Sequence, residues 1–595
     1  MWFSESCKKA PRGDRGVARH VAVRLGPLLA GILVAAACAA ARASLAAPPK
    51  VAPPKAAPGK AEGAEMASAV ASVLGRSEHL WIDGVEIDLV QMRALYEPRG
   101  YASLWVLSGD RASHAAAVLT RADTEGLDPA TYGAKGIGKR LHATSVKERA
   151  ELDVLLSQGV ARYAHDVHVG IQPPDKSTAE ISVSTKSIDG VRAARDAAQA
   201  SDVEKFLASL APQLEHYRRL RLALAQYRGL AEREGFEPIP DGPTLKIDMI
   251  DPRVPALRRR LAFTGELAGP PSESEAYDAD AEAAVKLFQW RHGLTPDGAL
   301  GRRTRLAMGV EPRQRMRQIA INMERLRWMP DHPGDRYVMV NIAGYWLELI
   351  EGGKPTLTMP VIVGQRDWQT PVFSTRIRQV VFNPAWNVPD KIAREEVIPK
   401  GHRDGNYFAR EGIAWVHDTK VAAVDGQAEA SDADQEEVGG VRLRQAPGPK
   451  NPLGRIKFNM PNSFDVYLHD TPSHGAFANS VRALSHGCVR VGDAKALASV
   501  LMSDMPDWNA ERREEALAGW ETRIVSLRRS MPVHIVYLTA FVDGDGQVQF
   551  RDDIYGRDGD LLRAFRKVGG GGAAKPAAAP EPKDETERPA PLPGP

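Results

Sequence analysis

Cysteine is nearly absent: Cys7, Cys38 and Cys488 are the three thiols in a chain of 595 residues. So few exclude a disulfide framework and a multi-cysteine metal site. A strong charge of one sign is missing too. The formal net charge is +3, and residues 1–43 hold seven Lys/Arg against two Asp/Glu, which leaves the rest of the chain slightly acidic. Nothing in that distribution argues for nucleic acid. What is present is the composition of a folded protein, 43% hydrophobic and 26% charged, which excludes a collagen-like or wholly disordered polypeptide. At roughly 100–200 residues per domain the length predicts three or four domains.

The first 46 residues read as an export signal. Lys8, Lys9, Arg12, Arg15, Arg19 and Arg24 precede an uncharged apolar run from Leu25 to Ala41, and Ala41-Arg42-Ala43 offers a cleavage site. An uncleaved signal anchor, the one membrane association expected, is the alternative, since the run approaches the ~20 residues that span a bilayer. Residues 47–65, rich in Pro, Ala and Lys, read as an extended linker. The glycine- and proline-rich tail 569–595 reads as unstructured.

Residues 66–240 repeat apolar side chains at helical spacing and predict an α-helical domain, with Tyr96, Tyr101, Leu104 and Trp105 as an aromatic core cluster. Residues 241–311 form a compact unit in which Phe288-Gln289, Gly293-Leu294 and Asp297-Gly298 punctuate three helices. These residues resemble the peptidoglycan-binding module of the three-helix type, and a structural spacer without wall affinity is the competing reading. A linking helix (312–334, centred on Ile319 to Trp328) leads into short strands such as Tyr337–Asn341, Leu347–Ile350 and Met359–Val363. The strand-rich domain should span 335–541, followed by an extension over 542–568. Within it, residues 425–437 carry six acidic side chains and no large apolar one, which predicts a surface loop. Asp543-Gly544-Asp545-Gly546 lacks a calcium loop's length and terminal Glu and reads as a hairpin turn.

The chemistry concentrates in Tyr467-Leu468-His469-Asp470-Thr471-Pro472 and Ser485-His486-Gly487-Cys488-Val489-Arg490. A thiol attacks as thiolate and needs a base, usually histidine. His469, 19 residues before Cys488, can end one strand while the chain loops back. Gly487 permits a tight turn that aims main-chain N–H groups at a developing oxyanion. Arg490 falls on the side of Cys488 if the segment is a strand, where it would favour the thiolate or hold a carboxylate. His486 and His474 compete with His469 as base. A zinc site of His469, His474, His486 and Cys488 matches no common spacing, so no metal is expected.

Ser-His-Gly-Cys-Val-Arg with its upstream histidine resembles the active-site signature of the L,D-transpeptidases. So do Asn322-Met323-Glu324-Arg325, Thr370-Pro371, Asn383–Pro389 and Arg444–Gly454, and the resemblance to the large periplasmic members runs from about residue 80 to 560. It implies an α+β multi-domain protein: a helical scaffold, a small three-helix peptidoglycan-binding-like domain, and a mainly β catalytic domain with a lid loop at about 399–453. It implies Cys488 as nucleophile, His469 as general base and then acid, the main-chain amides of Gly487 and Cys488 as oxyanion donors, and the Asp470 carbonyl as the group orienting His469. Tyr467, Ser485, His486 and Arg490 fall on substrate-binding or supporting positions, while the Asp470 carboxylate could instead cap the turn at Thr471-Pro472. The implied substrates are peptidoglycan stem peptides, a tetrapeptide donor and a diamino-acid acceptor, handled without a cofactor in the periplasm or cell envelope, with carbapenems as inhibitors. An L,D-carboxypeptidase, a wall-anchoring transferase and a non-enzymatic wall-binding scaffold are the other readings. A papain-like hydrolase is disfavoured, because its cysteine precedes its histidine.

Overall fold

The computed structural model describes residues 59–75, 79–172, 174, 180–184, 186–417 and 441–568. The expected signal, the linker up to residue 58, the acidic stretch 425–437 and the tail 569–595 lie outside the described residues. The end of the expected linker is not extended: Lys60 opens a helix, Lys60–Leu74, that buries Met66, Val70, Val73 and Leu74. The i, i+4, i+7, i+8 spacing of those four residues sets one apolar stripe, and it outweighs the polar composition of the first turn.

The helical region follows with a short hairpin, β1 (Leu80–Ile82) and β2 (Val85–Ile87), and helices packed around Val146–His168. Ser145 caps that helix by accepting the Glu148 N–H. Its buried Asp153 accepts the N–H groups of Leu104, Trp105 and Val106 at 2.9–3.0 Å and the Tyr96 hydroxyl at 2.7 Å. A buried carboxylate is tolerated only when its lone pairs are filled, so the aromatic cluster is organised as core; Tyr96 and Trp105 are fully buried. One short strand of this region, β3 (Ile181–Ser182), leaves its own domain and joins the large sheet of the strand-rich region.

Helices Val254–Thr264, Ala279–Arg291 and Arg302–Met308 enclose a separate core of Leu257, Leu261, Val285 and Phe288. Gln289 explains the spacing of this unit's motif. Its amide donates to Asp297 Oδ1 (2.7 Å) and the Ala299 carbonyl (3.0 Å) and accepts the Gly298 N–H (2.8 Å). The linking helix, Pro312–Arg327, starts with a capping box of Glu311 and Gln314. It buries an Arg327–Glu324 pair at 2.8 Å, and Arg327 also donates to the Tyr217 hydroxyl at 2.9 Å, which ties the helix to the scaffold.

The strand-rich region contains β4 (Arg336–Asn341), β5 (Trp346–Glu351), β6 (Lys354–Gly364), β7 (Val372–Phe382), β8 (Trp386–Asn387), β9 (Ile413–His417), β10 (Val441–Gln445), β11 (Ile456–Asn459), β12 (Leu468–His469), β13 (Ala483–Ser485), β14 (Val489–Val491) and β15 (Arg523–Val536). The main sheet runs β11-β12-β14-β6-β5-β4-β15-β7-β3, and β7 also pairs with β11, so the path closes on itself. Val338, Val340, Leu347, Phe382, Leu468 and Val489 fill the interior. Strands β8, β10 and β9 make a small separate sheet. It shares an apolar cluster of Val388, Ile392, Val397, Ile413 and Leu443 with the helical turns of 390–411. After the main sheet, β16 (Ala540–Val542) and β17 (Val548–Phe550) form the hairpin around Asp543–Gly546, and helix Asp558–Val568 follows. Among the described residues no helix is long and apolar enough to cross a membrane.

Candidate active site

Parallel pairing of β12 with β14 sets Leu468 beside Val489 and His469 beside Arg490. The two-residue period of a strand then separates two faces. Leu468, Val489 and Val491 are fully buried in the sheet interior, so His469 and Arg490 occupy the opposite face. Tyr467 and Cys488 stand one residue before their strands, and the Val489 N–H donates to the Tyr467 carbonyl at 3.1 Å, which carries the strand pairing back to them. His469 therefore lies diagonally across from Cys488.

His469 is buried, and its Nδ1–H donates to the main-chain oxygen of Asp470 at 2.6 Å. That bond fixes the tautomer and leaves Nε2 as the lone-pair nitrogen. The Asp470 carboxylate is used elsewhere: Oδ2 accepts the Arg455 N–H at 2.8 Å beside Gly454, whose φ is +61°. It caps the Gly454-Arg455 turn rather than the one at Thr471-Pro472, because the antiparallel pairing of β11 with β12 brings Arg455 to it. The two competing histidines are engaged outside the thiol. His474, exposed, approaches Asp470 Oδ1 at 3.6 Å, and His486 Nε2–H donates to Glu396 Oε1 at 2.5 Å.

The turn before Cys488 is braced from both sides. Ser485 Oγ–H donates to the Cys488 carbonyl at 2.6 Å and accepts the Gly487 N–H at 3.2 Å, so that amide is already engaged in this state. Thr370 Oγ1–H donates to the Gly487 carbonyl at 2.7 Å and accepts the Gly364 N–H at 2.9 Å. Gly487 has φ +110°, a backbone region that side chains disfavour.

Burial dominates the electrostatics. It lowers the pKa of His469 to about 3, with the Arg490 guanidinium pushing the same way and the Asp470 carbonyl opposing. Part of the Cys488 residue meets solvent, yet the protein packed around its sulfur pushes the thiol pKa up, with contacts to Tyr467 and the Lys457 ammonium offsetting some of the rise. Arg490 is lowered by burial, and the Tyr467 hydroxyl is raised well above its ordinary value by burial and then by the adjacent Cys488. The resting pair is consequently a neutral thiol and a neutral imidazole.

Three contributors escaped the sequence reading. Lys457 lies opposite His469 on β11, with Nζ 4.1 Å from the centre of the Tyr467 ring. Its signal was a half-exposed cation between two buried apolar neighbours, Ile456 and Phe458. Trp368 meets His486 edge-on at 4.9 Å, and Glu396 reaches it from the small sheet's helical turns; no local pattern marks either residue. Among the described residues no three His, Cys, Asp or Glu side chains are grouped so as to hold a metal ion.

Comparison with known proteins sets domain matches beside this geometry. Residues 335–525 match the model described as the L,D-transpeptidase catalytic domain (YkuD), residues 90–224 that of a scaffold domain, and residues 251–308 that described as "Putative peptidoglycan binding domain". A Haemophilus influenzae protein named "Putative L,D-transpeptidase" is 38% identical over 245 residues, 40% of this chain and 48% of that protein. The chain thus spans about half the length of this curated relative. Among solved structures, an L,D-transpeptidase from Xylanimonas cellulosilytica (15% identity, 50% of this chain, 98% of that one, TM-score 0.17) is similar. So is one from Stackebrandtia nassauensis (15% identity, 50% of this chain, 96% of that one, TM-score 0.19). By its domain matches, the chain carries a YkuD-type L,D-transpeptidase catalytic domain together with a scaffold domain and a peptidoglycan-binding domain.

Proposed function

We propose that this protein crosslinks peptidoglycan stem peptides in the cell envelope through a thioester on Cys488. The observation that carries the reading is the His469 imidazole, tied by Nδ1 to the Asp470 carbonyl with the lone pair left on Nε2, diagonally across from the only cysteine among the described residues. Cys488 Sγ attacks the carbonyl between the L-centre of a diamino acid and the terminal D-alanine of a tetrapeptide donor, while Nε2 takes the thiol proton. The main-chain N–H of Cys488, joined by that of Gly487 as it is shared with Ser485, receives the developing oxyanion; each such donor contributes on the order of 3–4 kcal/mol. Collapse expels D-alanine, whose amine leaves with the proton from His469. The side-chain amine of a second stem then attacks the thioester, loses a proton to Nε2, and releases Sγ, which recovers that proton. Arg490 and Lys457 place positive charge where the thiolate forms. No cofactor enters these steps.

The test is mass spectrometry of wild type, Cys488→Ala and His469→Ala incubated with disaccharide-tetrapeptide. A dimer joined through two diamino acids, made by wild type alone, is the expected product. Tripeptide with free D-alanine and no dimer would assign water as acceptor, a protein-bound stem would assign wall anchoring, and an unreactive wild type would favour a wall-binding scaffold. A carbapenem adduct on Cys488, absent from Cys488→Ala, is expected as well.

A further inference from the structure

We infer that Glu396 is a positioning residue of the active site, holding through His486 the turn that presents Cys488. The inference rests on the acyl-transfer reading proposed above and assigns a role to the small sheet's helical segment. Glu396 lies in the helical turn Ala393–Val397, outside the closed catalytic sheet. Its carboxylate accepts the His486 Nε2–H at 2.5 Å. A carboxylate can only accept, so this bond fixes which ring nitrogen of His486 carries the proton. The next residues are Gly487, at φ +110°, and Cys488 itself.

A second contact joins the same two parts of the structure. The edge of the His486 ring meets Trp368 at 4.9 Å, and Lys391 from the small segment lies over the Trp368 ring at 3.8 Å. Trp368 also packs against the segment's apolar cluster. It belongs to the loop between β6 and β7 in which Thr370 holds the Gly487 carbonyl at 2.7 Å. The Gly487 turn is therefore gripped at its carbonyl from the β6–β7 loop, and at the preceding side chain from the small segment. A glycine with positive φ has little conformational preference of its own, so the direction of the Cys488 N–H depends on these two grips together with the Ser485 brace. Of the other charges facing Glu396, Lys400, four residues on, lies 3.7 Å from Oε2 and leaves Oε1 to His486.

The experiment uses the full chain as wild type, Glu396→Ala, Glu396→Gln, His486→Gln and the Glu396→Ala/His486→Gln double variant. Two quantities are read: the second-order rate of Cys488 thioester formation from disaccharide-tetrapeptide by mass spectrometry, and backbone hydrogen exchange over residues 386–417. Glu396→Ala should slow thioester formation tenfold or more, and Glu396→Gln, which keeps an acceptor oxygen, should recover part of the loss. The double variant should be no slower than the slower single variant, because Glu396 acts through His486. Exchange over 386–417 should rise in Glu396→Ala while residues 146–168 in the scaffold stay protected. Wild-type rates in Glu396→Ala, or losses that multiply in the double variant, would overturn the inference. If the wild type itself forms no thioester, the acyl-transfer reading fails; unchanged exchange in Glu396→Ala would then separately remove the grip.

Discussion

His469 and Asp470 are adjacent in sequence, but it is the main-chain oxygen of Asp470, 2.6 Å from His469 Nδ1, that orients the imidazole, while the Asp470 carboxylate binds the Arg455 N–H. The orienting group is therefore indifferent to the side chain at position 470. Replacing Asp470 by Asn should leave thioester formation within a few-fold of wild type, because an amide oxygen can still accept from Arg455. His469→Gln should lower it by about 10²–10⁴, the range for loss of a general base. Single-turnover acylation measured by mass spectrometry separates the two. A loss in Asp470→Asn as large as in His469→Gln would mean that the carboxylate, and not the carbonyl, is the partner.

The pH behaviour follows from the burial of His469. In the unfolded chain a histidine titrates near 6.5, whereas here the ring holds a proton only below about 3. Between these values the unfolded state binds the extra proton, so stability falls as pH drops through that window, at most about 1.4 kcal/mol per pH unit from this group. His292 and His534 are pushed the same way by burial, so the wild-type slope includes them. Urea unfolding of wild type and His469→Gln at several pH values between 4 and 7 should show the variant losing stability less steeply on acidification. Thioester formation, with both groups neutral, should stay nearly flat from pH 5 to 8. An acid limb near 6.5 would contradict the buried neutral imidazole.

How much of this was legible beforehand depends on the range of the interaction. Cys488, His469 and the turn at Gly487 sit within short motifs, and the alternation Tyr467-Leu468-His469 against Cys488-Val489-Arg490 gives the face that Cys488 and His469 share. The Gln289 bonds of the three-helix unit likewise connect residues within one motif. Glu396 is different. It meets His486 across 90 residues through a single hydrogen bond, and a lone glutamate on a helical turn looks like any solvated one. The strand Ile181–Ser182 was missed for a related reason: two residues carry no readable period, and their place is set by the exposed edge of Val372–Phe373 that they pair with. Lys60 to Glu65 were misread because composition was weighed without the apolar stripe that begins at Met66.

Thr370 tests the brace beneath the nucleophile. Its buried hydroxyl fills two partners at once, donating to the Gly487 carbonyl and accepting the Gly364 N–H. Valine has the same shape but leaves both main-chain groups unpaired, at about 1–3 kcal/mol for each buried group. Thr370→Val should therefore lose about 2–6 kcal/mol of stability by urea unfolding and form the thioester more slowly at a temperature where it remains folded. Thr370→Ser, which keeps the hydroxyl, should recover most of the rate. Equal rates in the two variants would show that the brace plays no part in aiming the Cys488 amide.

Arg490 supplies the final prediction. Its guanidinium sits beside His469 across the β12–β14 pairing and, after burial, is the largest influence holding the imidazole pKa down. Burial lowers the pKa of Arg490 itself, and a Cys488 thiolate, once formed, favours the guanidinium cation. Arg490→Gln should therefore raise the His469 pKa, read from its ring carbon protons by NMR, and raise the pKa of Cys488 as the thiolate loses a positive neighbour. The two changes pull against each other: the imidazole becomes a stronger base, while the thiol becomes harder to deprotonate. The rate of iodoacetamide alkylation of Cys488 against pH should shift to higher pH in the variant. If His469 titrates at the same pH with and without Arg490, burial alone sets its state, and Arg490 is left to the substrate.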